Sequence, residues 1–72
     1  NIMNKKIEDH EISAACMMGF VEARLARLET ELAETGDALS RFERTRLSAR
    51  INEAREMLIQ VENALSLLRG SR

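Results

Sequence analysis

The sequence predicts an all-α fold, an antiparallel helical hairpin. Three observations carry that expectation. There is no proline, tryptophan or tyrosine among the 72 residues and only three glycines, a composition suited to long helices. Apolar residues recur in alternating steps of three and four, first through Met18, Val21, Leu25, Leu28 and Leu32, then through Leu47, Ile51, Ala54, Leu58, Val61, Leu65 and Leu68. That spacing is the signature of a helical seam. Between the two stripes stands Thr35-Gly36-Asp37, the one turn signal in the middle of the chain.

The first helix is expected over about residues 5–34. Asn4 and Asp9 are candidate N-caps, and Glu8, Asp9 and Glu11 suit the positive end of the helix dipole. Glu22, Arg24, Arg27, Glu29, Glu31 and Glu34 give the side away from the seam an ordinary solvated character. Gly19 breaks the pattern. Either another backbone passes close to it, or the helix tolerates it at a cost of about 1 kcal/mol. Asn1-Ile2 precedes Met3, which reads as the initiator, so the first two residues read as a cloning remnant.

The turn is placed at 35–37, with Gly36 in the left-handed conformation that ends a helix and Asp37 capping the next. The second helix is then expected over about 38–69. Ser40-Arg41-Phe42-Glu43 also has the spacing of a capping box, which would start that helix three residues later. Arg69 suits the negative end of its dipole, and Gly70-Ser71-Arg72 ends it. A short connection makes the helices antiparallel neighbours. Folding about Gly36 sets Leu28 near Leu47, Leu25 near Ile51, Met18 near Leu58 and Ala14 near Val61.

One domain spanning 1–72 is all that this length allows, and a single core at this size is marginal. The one cysteine excludes an internal disulfide, and Cys16 and His10 alone cannot form a zinc site. No cofactor is expected. Self-association is the remaining route to stability, so two hairpins are expected to pair as a homodimeric four-helix bundle. Eleven basic against twelve acidic residues produce no overall field toward nucleic acid. With no run long enough to span a membrane, no secretory pattern and an unpaired thiol, the expected compartment is the cytoplasm.

Function is sought in the uncharged stretch Ile12-Ser13-Ala14-Ala15-Cys16-Met17-Met18-Gly19-Phe20-Val21. It carries more apolar surface than one neighbouring helix can cover. Ile12, Cys16, Met17 and Phe20, with Phe42 and Ile59 on the second helix, are the candidate dimer or partner interface. The expected function is that of a small non-enzymatic module that modulates, inhibits or escorts another protein. Cys16 has no basic neighbour within a turn to activate its thiol, and reads as a buried or interfacial small hydrophobe. His10 reads as a surface histidine, and Glu53 and Glu56 as members of an ion-pair network with Arg50 and Arg55.

The alternative function uses the arginines of the second helix. Arg41, Arg44, Arg46, Arg50 and Arg55 make its first half locally basic, as a Rop-like bundle that binds RNA or DNA would require. On the helical wheel, Arg41, Arg44 and Arg55 take one flank and Arg46 and Arg50 the other. Two family resemblances stand beside these readings. Phe20-Val21-Glu22-Ala23-Arg24-Leu25-Ala26-Arg27-Leu28-Glu29 resembles the opening of small SlyX-type coiled-coil proteins, a likeness that stops before Gly36. The hairpin bent at Gly36-Asp37-Ala38 resembles the helical co-chaperones of type III secretion needle subunits, which implies a clasp around a partner helix.

Overall fold

In the computed structural model, residues 2–70 are described. They form a helix α1 (Ile2–Thr35), a 3₁₀ turn (Gly36–Ala38) and a helix α2 (Arg41–Gly70) packed back against α1. The Cα envelope measures 56 × 14 × 12 Å, the thickness of two helices. The hairpin and its register are as the two stripes require. Leu28, Leu47, Ile51 and Ala54 form the buried cluster, with Leu25, Leu32 and Leu39 packed against it. Val21 and Leu65 are buried further along the seam.

Three boundaries differ from expectation, each for a local reason. Helix α1 begins at Ile2, so Asn4 and Asp9 lie inside it and its first turn holds no acidic residue. Nothing in Ile2-Met3-Asn4-Lys5-Lys6 breaks a helix. Gly36 does not adopt the left-handed conformation, for no described residue has positive φ. Its absent side chain serves packing instead, because a Cβ at this buried position would stand 3.3 Å from Leu32 Cδ1. Asp37 is drawn into the 3₁₀ turn, and α2 starts at Arg41 with Ser40 as its cap.

The capping box decided that start. The Glu43 backbone N–H donates to Ser40 Oγ at 3.1 Å, and the Ser40 hydroxyl donates to Glu43 Oε1 at 3.1 Å. The turn is tied again from α2: Arg44 donates from Nε at 3.1 Å and from Nη2 at 2.6 Å to the Gly36 carbonyl oxygen. That carbonyl also accepts from the Leu39 N–H at 3.3 Å. At the far end Arg69 lies in the last turn of α2, as its charge favours. Helix α2 runs to Gly70, so the expected stop at Gly70-Ser71-Arg72 falls partly on Ser71 and Arg72, outside the described residues, as does Asn1. No helix among the described residues is long and apolar enough to cross a membrane.

Candidate interaction surface

Six residues were singled out as one interface, and the hairpin separates them. Positions nine apart on a helix point about 180° from each other. Ile12 is nine residues from buried Val21 and Cys16 is nine from Leu25, so both face away from α2 and are exposed. The buried alternative for Cys16 is thereby excluded within one chain. Phe42 is nine residues before buried Ile51 and stands on the outside of α2, 70% exposed, with the Arg46 guanidinium 6.0 Å from its ring centre. Ile59 is nine residues past Arg50 and lies on the flank opposite to it.

Met17 and Phe20 do share a surface. Met17 lines an open groove between the helices, with His10, Ser13 and Ala14 of α1 beside it. The α2 wall of that groove is Gln60, Val61, Ala64, Leu67 and Leu68. No residue of either wall is acidic, lysine or arginine. Phe20 lines the adjoining cleft with Val21, Ala54 and Met57, and there Arg24, Arg50 and Glu53 introduce charge. Met57, Ala64 and Leu67 also line these clefts and lie outside the six candidate residues. For Met57 and Ala64 the signal was available, since seven residues apart they share the α2 flank that meets Met17 and Phe20 once the hairpin is closed, whereas Leu67 lies toward the outside of α2.

The same flank changes character toward the turn, where Glu31, Leu39, Glu43, Arg46, Leu47 and Arg50 surround a shallow depression. On the opposite flank Arg55 Nη2 lies 3.7 Å from Glu29 Oε1, both side chains about half exposed. That pair corrects the expected network, because the partner of Arg55 comes from α1 and not from Glu53 or Glu56. The five arginines are therefore dispersed. Arg44 holds the turn, Arg55 faces Glu29, Arg46 and Arg50 line the depression on the other flank with Arg46 also near the Phe42 ring, and Arg41 is exposed at the start of α2.

Gly19 is exposed, and a Cβ there would meet nothing within 4 Å. Within one chain no backbone crossing accounts for it. His10 is exposed on the groove rim. Among the described residues no group of three or more His, Cys, Asp or Glu could hold a metal ion. Comparison of the chain with protein-family models, with curated proteins and with solved structures finds no match.

Proposed function

We propose that this protein is a small helical-hairpin module that works by binding protein, itself included, and modulates, inhibits or escorts a partner without catalysing a reaction. The observation that carries the reading is the uncharged groove at the open end of the hairpin, with Met17, Phe20 and Leu67 exposed on and beside it at 52%, 70% and 74%. Exposed apolar surface gathered into one concave strip, on a chain that is 32% charged, suits an amphipathic helix laid into a groove. An unpaired, exposed Cys16 fits a reducing compartment, and the cytoplasm is the setting proposed. The nucleic-acid alternative gains nothing from the geometry, because its arginines do not share one face.

Copurification of a tagged chain, read by mass spectrometry, tests the proposal. A stoichiometric protein partner is expected, and Phe20→Asp should abolish its capture while circular dichroism shows the helices intact. Capture unchanged in Phe20→Asp would overturn the assignment of the surface. Salt-sensitive RNA or DNA retention that is lost on Arg50→Ala would favour the alternative.

A further inference from the structure

The chain exposes more surface than a compact monomer of its mass. A folded monomer of 8.2 kDa exposes roughly 4,500 Å² by the general relation of area to mass, whereas this chain exposes 5701 Å². The surplus is about 1,200 Å², somewhat more than the roughly 800 Å² that each partner contributes to a standard protein interface. A second copy on one face would remove it.

The Met17 groove offers that copy a place whose lining holds no acidic residue, lysine or arginine. In this open half of the Met17 flank Lys6 lies beyond the His10 end of the groove, and Ala14, Val61 and Leu68 are left half-buried beneath it. The turn-proximal half of the same flank carries Arg24, Glu31, Glu43, Arg46, Arg50 and Glu53. Two hairpins laid parallel would stack these charged halves on each other. Laid antiparallel and staggered, they overlap through the apolar halves alone, and the turns project at opposite ends.

We infer that the His10–Leu68 groove is the self-association surface of this protein, and that it joins two copies antiparallel about a two-fold axis near Ala64. This rests on the protein-binding reading above and assigns one occupant to its surface. A two-fold interface is isologous, so the groove of each copy receives the Met17 and Leu67 side chains of the other. Ile12, Cys16, Phe42 and Ile59 stay outside the contact.

Sedimentation equilibrium of the full chain decides it. A dimer is expected, with Leu67→Glu and Met17→Glu each raising its dissociation constant at least tenfold while helicity is retained, and with Ile12→Glu and Ile59→Glu leaving it unchanged. In a Cys16→Ser background, Ala64→Cys alone should oxidise to a cross-linked dimer. A wild-type monomer at all concentrations, or dissociation by Ile12→Glu in place of Leu67→Glu, overturns the inference. If Ala64→Cys cross-links only in combination with Ser13→Cys, the copies run parallel and the stated arrangement is wrong. A monomer that still captures a stoichiometric partner through Phe20 leaves the proposed function standing, whereas a groove dimer that captures nothing removes the partner and keeps this inference.

Discussion

The two halves of the hairpin are built from the same heptad spacing and end up with different packing. Near the turn, Leu28, Leu47, Ile51 and Ala54 are sealed by Leu25, Leu32 and Leu39, and the chain reversal is held by the Ser40 cap and the Arg44 clamp. Toward the termini, Ala14, Met18, Leu58, Val61 and Leu68 are only half-buried, and Leu65 is the one buried residue beyond Ala54 among those described. The seam residue Ala14 is too small to fill the interval between two backbones. Closure at one end therefore stabilises the fold, while the loosely filled end leaves surface available for association.

The largest test of this contrast compares equivalent truncations. Ile51→Ala should cost about 2–5 kcal/mol, and Val61→Ala in dilute protein roughly 1 kcal/mol, because the second side chain is already partly in water. Urea denaturation measures both, and equal losses would break the comparison. Next comes Arg44→Ala, which removes two charge-assisted hydrogen bonds to one carbonyl and should cost about 1.5–3 kcal/mol. Arg44→Lys should recover only part of that, since an ammonium cannot reproduce the forked contact.

A smaller effect sharpens the contrast through a single kind of change. Gly19→Ala enters open space and should stabilise the chain by about 0.5–1 kcal/mol. Gly36→Ala gains similar chain stiffness but crowds Leu32, so its melting temperature should scarcely rise. If both substitutions stabilise equally, the turn-proximal half is not tightly packed. Least of all is Arg55→Ala, whose exposed pair with Glu29 should contribute under about 0.5 kcal/mol, a difference that disappears in high salt.

What was legible in the sequence follows from how local each cause is. The stripe Leu47-Ile51-Ala54 and its match to Leu28 depend on periodicity, and both were readable. The start of α2 was readable in Ser40-x-x-Glu43, although Asp37 competed for the same role. The function of Gly36 was not, because its constraint comes from Leu32 packing over it and not from its own dihedral angle. The clamp made by Arg44, grouped in the sequence with the other arginines of the second helix, was not legible because its acceptor lies eight residues back and is reached only after the chain has reversed. The candidate interface was chosen by apolarity along α1, and of its residues the hairpin sets Met17 and Phe20 along adjoining clefts. Ile12 and Cys16 point away from α2, and Leu67, not among the six, lines the groove's other wall.

The outward position of Cys16 has a practical corollary. The chain has a single thiol, exposed on the side of α1 away from α2 and one helical turn from Ser13 and Phe20 at the groove edge. A maleimide-linked spin label or fluorophore attached there would leave the seam undisturbed. Two labelled copies would then report the separation of their α1 backs directly, without any engineered residue.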